Sequence, residues 1–177
     1  MNRATAAQAA ASPLSGISAH RLLAFAFVVT LVPLASAQAP GVAPGQATER
    51  VVTLADANQS YAVYLPSTYD PQKKWPVVFG FDPGARGPVP VEVFRAAAEK
   101  HGYILVGSNN AQNGPRRLSL EAFAAILGDV EKRFSVDPDR YYAAGFSGGA
   151  RVAGLTGFLC KGCIRAVIAC GPASPTV

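Results

Sequence analysis

The sequence predicts an α/β fold: an open, mostly parallel sheet led by an antiparallel hairpin. Three observations predict it. Residues 77–81 (VVFGF) and 103–107 (YILVG) are short continuous apolar runs, as expected of strands buried on both faces. From residue 77 onward, strand-like and helix-like stretches alternate as β, α, β, α, β, α, β, the order of a parallel sheet with helices on both faces. Ahead of them, two strand-like runs flank Asp56-Ala57-Asn58-Gln59, residues that turn a hairpin.

In chain order, 50–54 is the first strand and 60–65 (SYAVYL) its hairpin partner. A connector with a turn at Asp70-Pro71 leads to the 77–81 strand. Residues 82–88 form a tight Gly/Pro loop, and 91–100 a helix closed by Gly102, a residue suited to the left-handed position past a helix end. After the 103–107 strand comes a polar loop, 109–117. Residues 118–134 form the longest helix, with Leu118, Phe123, Ile126, Leu127, Val130 and Phe134 at three- and four-residue steps. Asp137-Pro138-Asp139 reads as a turn, 141–144 as a buried strand, 150–159 as a small-residue helix and 164–170 (IRAVIAC) as the last strand. The loops at 82 and 109, and the turn after residue 144, fall at the carboxyl edge, where open α/β sheets bind ligands.

Of 177 residues, 50% are hydrophobic and 15% charged, which supports one packed domain and excludes wholesale disorder. The first 37 residues are expected to stand outside it. Arg3, His20 and Arg21 form a basic lead-in, 22–34 (LLAFAFVVTLVPL) is an apolar run, and Ala35-Ser36-Ala37 is a small-x-small site. This is the layout of a secretory signal peptide cleaved near Ala37-Gln38; the run is too short for a stable membrane anchor. The expectation is a secreted or periplasmic protein, with a flexible leader at 38–48 and the domain over 49–177. The formal charge is +5. Without Arg3 and Arg21, 14 basic against 11 acidic residues leave +3. The basic pairs Arg116-Arg117 and Lys132-Arg133 make no stripe, so nucleic acid is not an expected partner.

Cys160, Cys163 and Cys170 allow at most one internal bridge. Cys160-Lys161-Gly162-Cys163 follows a helix rather than opening one, where a redox pair would gain thiolate stability, and no histidine lies near to complete a zinc set. A structural bridge or buried thiols rank first, and no metal is expected.

Gly145-Phe146-Ser147-Gly148-Gly149 fits G-x-S-x-G, with a strand before it and a helix after it. In that setting the serine sits on a strained strand-to-helix turn as an exposed nucleophile, at a helix N-terminus whose N–H groups favour an oxyanion. A triad of this type runs Ser, then Asp or Glu, then His, yet no carboxylate or histidine follows Ser147. The histidines are His20 and His101. His101 ends the helix after the 77–81 strand and is expected at the opposite sheet edge. Asp129 lies mid-helix, and Asp137 and Asp139 precede the elbow strand.

With the elbow on this topology, the chain resembles the α/β-hydrolase superfamily, and within it exported esterases of the polyhydroxybutyrate-depolymerase and feruloyl-esterase type. The likeness rests on residues 64–69 (YLPSTY), 75–79 (WPVVF), 82–84 (DPG), 136–142 (VDPDRYY) and the elbow. It implies ester hydrolysis through an acyl-enzyme on Ser147, a small or polymeric ester as substrate, and no cofactor. Gly148 is the implied first oxyanion N–H donor. The second comes from the loop at 82, where Pro83 has no N–H, which leaves Gly84 or Ala85. The Asp82 carboxylate would oppose an oxyanion, so it is expected to turn onto loop N–H groups or Arg86. The resemblance also implies a base and acid beyond Val177, hence a partial domain, little turnover as it stands, and a 164–170 strand left as an apolar edge open to self-association. The alternative is a non-catalytic binding or assembly protein with a degenerate hydrolase fold.

Overall fold

The computed structural model describes residues 41–171; the predicted signal peptide and the last six residues lie outside them. The elements are β1 (Ala47–Val52), β2 (Ser60–Tyr64), β3 (Trp75–Phe81), α1 (Pro88–His101), β4 (Ile104–Ser108), α2 (Arg116–Arg133), β5 (Val136–Phe146), α3 (Gly148–Leu159) and β6 (Ile164–Cys170). They build one six-stranded sheet in the order β1-β2-β4-β3-β5-β6. β1 and β2 form the antiparallel hairpin, and β2 pairs antiparallel with β4. The β4-β3, β3-β5 and β5-β6 pairs are parallel. The predicted α/β class, hairpin and parallel centre are all present.

Strand alternation assigns the two faces. Tyr61, Val63, Leu65, Val77, Phe79, Phe81, Ile104 and Val106 join the larger core with Phe123, Ile126, Val130 and Val152 of α2 and α3. Ala62, Tyr64 and Leu105 turn to the other face, against Val91 and Ala98 of α1. Phe79 sits at the centre of the larger core, edge-on to Phe123 at 5.3 Å and to Tyr141 at 5.6 Å, the arrangement that aromatic quadrupoles favour. On the α1 face Gly80 leaves room for Pro90, whose side chain stands 2.5 Å from where a Cβ would be.

Two local readings change. Part of the expected leader is anchored: Val42 is buried, the Gly45 N–H donates to Leu65 O at 2.8 Å, and β1 starts at Ala47. A buried apolar side chain and a bonded backbone hold this Pro/Gly-rich stretch, which its composition alone does not reveal. The Asp137-Pro138-Asp139 turn is absorbed into β5, whose pairing with β3 jumps from Trp75↔Val136 to Val77↔Tyr141. The residues between them bulge from the ladder, and their turn bonding survives there. Asp139 N–H donates to Asp137 Oδ1 at 3.0 Å, and Arg140 holds Asp137 Oδ2 at 2.6 Å.

A buried carboxylate ties α2 to the hairpin. Asp129 is 2% exposed. Its Oδ1 accepts Leu54 N–H at 2.7 Å, and its Oδ2 accepts the Tyr61 hydroxyl and Arg133 Nε, both at 2.8 Å. Burial, with Asp129 as hydrogen-bond acceptor, pushes the Tyr61 phenol well above its ordinary range. Breaking a buried, paired charge typically costs about 3–5 kcal/mol, so Asp129→Ala is expected to lower unfolding free energy by about that much in urea titration. A loss under about 1 kcal/mol would show that the network adds nothing beyond exposed ion pairs.

Cys160 and Cys163 are joined in a disulfide just past α3, and Cys170 is free and exposed. β6 pairs only with β5 among the described residues and is largely exposed, Val167 and Ile168 included. No described helix is long and apolar enough to cross a membrane.

Candidate active site

The chain runs from β3 to β4 on one side of the sheet, then returns to lay β5 and β6 on the other. Such a reversal of strand order opens a crevice at the carboxyl ends of the two central strands. Phe81 and Gly145 pair across it, so Asp82 and Phe146-Ser147 leave the sheet side by side.

Ser147 stands in this crevice in a rare backbone conformation, φ 51° and ψ −116°. Only Ala85 and Ser147 among the described non-glycine residues have positive φ. Such a conformation costs of order 1–3 kcal/mol and survives only where surroundings enforce it. Here the Ser147 N–H donates to Cys170 O at 2.9 Å, and its carbonyl accepts the Arg151 N–H at 3.3 Å in the first turn of α3. The side chain is partly exposed, and its Oγ has no hydrogen-bond partner among the described residues. α3 begins at Gly148, so the Gly148 N–H has no intrahelical acceptor and lies at the positive end of the helix dipole.

Close approach dictates the flanking glycines. A Cβ on Gly145 would stand 2.2 Å from Gly149 O, and one on Gly149 would stand 2.0 Å from Phe81 O. The turn therefore folds back onto both its own helix and the end of β3. At Gly148 the intruder is a side chain: Asn113 Oδ1 lies 1.7 Å from where a Cβ would be. Phe146, 65% exposed, stands beside the serine.

Asp82 behaves as expected. Its carboxylate is buried and turned into its own loop, with Oδ1 accepting Gly84 N–H at 2.9 Å and Arg86 Nε at 2.8 Å, and Oδ2 accepting Arg86 Nη2 at 2.9 Å. The Arg86 guanidinium holds its pKa below the usual carboxylate value. This bonding corrects the second-donor expectation. Gly84 N–H is committed to Asp82 Oδ1, and Ala85 N–H to Asp82 O at 3.1 Å. Neither is free to meet an oxyanion in this loop conformation, because the carboxylate and its carbonyl have collected both.

The 109–117 loop carries what the sequence reading missed. It is stitched across the Asp82 loop by the Asn113 N–H to Pro83 O bond of 3.0 Å and by a bridge between Gly84 and Gln112. Arg151 Nη2 donates to Asn113 Oδ1 at 2.7 Å. A polar loop at the ligand edge was the only sequence signal; nothing singled out Asn113 within it.

The other titratable candidates lie elsewhere. His101 closes α1, so it sits at the amino edge, beside Tyr103 and Tyr142 in an apolar groove on the α1 face. Asp137 and Asp139, at the start of β5, pair with Arg140 and Arg165. Asp129 is in the core. Among the described residues no cluster of His, Cys, Asp and Glu could hold a metal.

No protein-family model matches the chain, and no curated protein sequence does. Its structure is similar to solved ones. A ferulic acid esterase from the anaerobic fungus Anaeromyces mucronatus matches with a TM-score of 0.59 at 20% identity, over 78% of this chain and 63% of that one. An acetyl xylan esterase from Aspergillus awamori matches at 0.57 and 15% identity, over 70% and 50%. An esterase from Pyrobaculum calidifontis matches at 0.55 and 16%, over 75% and 47%. The chain thus spans about half to two-thirds of the length of these structures. What it shares with them is the architecture, and the chain has the α/β-hydrolase fold.

Proposed function

We propose that the chain hydrolyses carboxylic esters through an acyl-enzyme on Ser147. The observation that carries this reading is the serine's enforced left-handed backbone at the carboxyl end of β5, directly before a helix N-terminus. The esterases that share the fold support the substrate class. In the first step Oγ bonds to the ester carbonyl carbon as its proton passes to a base. The carbonyl π pair moves onto oxygen, which accepts the Gly148 N–H. The tetrahedral centre then collapses, the C–O bond to the alcohol breaks, and the alcohol leaves protonated. Water repeats the sequence on the acyl-enzyme and frees the acid. The described residues place no base against Oγ, so the proton acceptor comes from outside them. The proposed place of action is secreted or periplasmic, supported by the layout of residues 1–37 and by the Cys160–Cys163 bridge, which suits an oxidising compartment.

Free imidazole can stand in for a base that is not in place. Hydrolysis of p-nitrophenyl acetate by the chain, above the rate with a Ser147→Ala control, is expected to rise with the concentration of neutral imidazole. Equal rates for the two proteins at every imidazole concentration would contradict the proposal.

A further inference from the structure

Resting on the esterase reading, we propose that Asn113 supplies the second oxyanion donor, through its side-chain Nδ2. Five observations point there. The backbone donors of the Asp82 loop are committed: Gly84 N–H to Asp82 Oδ1 and Ala85 N–H to Asp82 O. Asn113 fills the space left by the missing Gly148 side chain, with Oδ1 1.7 Å, Cγ 2.4 Å and Nδ2 2.7 Å from where that Cβ would stand. Arg151 Nη2 donates to Oδ1 at 2.7 Å. A guanidinium can only donate, so the carbonyl end of the amide must face Arg151, which fixes the amide orientation. The Nδ2 group has no acceptor among the described residues. Finally, the loop is fastened to the Asp82 loop through Asn113 N–H to Pro83 O, which fixes the backbone that presents the amide.

Distance decides whether one oxygen can meet both donors. Covalent geometry places Nδ2, 2.7 Å from the missing Cβ, within about 5 Å of the Gly148 amide nitrogen. An oxygen accepting two bonds of about 2.9 Å along its lone-pair directions, roughly 120° apart, bridges donors about 5 Å apart. The two N–H groups are therefore close enough to share the oxyanion. The charge that forms on the carbonyl oxygen when Oγ attacks is stabilised by both, and no proton is transferred to it. Glycine at 148 follows from this role: any side chain there would evict the amide.

Asn113→Asp tests the assignment, because it keeps the shape and can still accept from Arg151 but replaces the donor with a carboxylate oxygen. The readout is the rate at which an alkyl fluorophosphonate, whose phosphoryl oxygen occupies the oxyanion position, modifies Ser147 in the presence of imidazole, with the adduct mapped by mass spectrometry. Losing one such donor typically costs about 10²–10³-fold. Asn113→Asp is expected to slow modification by about 100-fold, with its thermal midpoint unchanged or raised. Arg151→Ala, which releases the amide, is expected to slow it to a lesser degree. Modification of Asn113→Asp within about threefold of the wild-type rate would overturn the proposal. No modification of Ser147 in the wild type at all would instead remove the esterase reading beneath it, so the two failures are distinguishable.

Discussion

Alanine at Gly149 is expected to cost the protein about 3 kcal/mol or more of stability and to dismantle the elbow. The added Cβ would lie 2.0 Å from Phe81 O and 3.1 Å from Asp82 N. Both atoms belong to backbone. Phe81 is held in the central strand by its pairing with Gly145, and Asp82 by its bonds to Gly84 and Arg86. Overpacking a tight site costs about 1–3 kcal/mol where side chains can yield, and more where they cannot. At this position either α3 moves away from β3 or β3 leaves its register. Gly154 is the control. It lies in the same helix with open space where its Cβ would stand, so Gly154→Ala should stabilise by about 0.5–1 kcal/mol, the ordinary helical preference. Urea titrations of the two variants should differ in sign. A Gly149→Ala protein as stable as wild type would mean that α3 does not pack on the end of β3 as described.

The second large effect separates function from stability at a single residue. Ser147→Ala keeps the φ of 51° and removes the hydroxyl, so ester hydrolysis and phosphonylation should both fall to background, a loss of about a hundredfold or more. Ser147→Gly should lose activity equally but gain stability. A non-glycine residue in such a conformation costs of order 1–3 kcal/mol, and glycine relieves this at an entropic cost of about 0.5–1 kcal/mol. The expected net gain is about 1 kcal/mol. Strain retained at a position where glycine would relax it is the mark of a residue kept for its side chain. If Ser147→Gly proves less stable than Ser147→Ala, the backbone there is not strained.

Much of this arrangement could be read from residue order. The apolar runs at 77–81 and 103–107, the spacing along 118–134 and the turn residues at 56–59 each carry their own structural cause within a few residues, and each element stands where they place it. The elbow was legible because its G-x-S-x-G order sits in a local strand–turn–helix setting, although of its glycines only Gly145 answers a contact within that unit, to Gly149 O, while Gly148 and Gly149 meet Asn113 and Phe81 from elsewhere in the chain. The 82–88 loop was half legible. Like-charge logic turned Asp82 onto Arg86, but the same turn consumed the Gly84 and Ala85 N–H groups, which only coordinates reveal. Asn113 was illegible, because its significance depends on Gly148 and Arg151, more than thirty residues away. The anchoring of the stretch from Val42 to Gln46 is illegible likewise, because the Gly45 N–H bonds to Leu65 O in a distant segment.

Ser147, presented at this edge as the nucleophile, is the residue on which the proposed chemistry turns. The most direct measurement is to expose the chain to an alkyl fluorophosphonate with imidazole as the base, digest it, and locate every adduct by mass spectrometry. One adduct is expected, on Ser147, forming faster as neutral imidazole is raised and absent from Ser147→Ala. Adducts scattered over other hydroxyl side chains with Ser147 unmodified would contradict that chemistry.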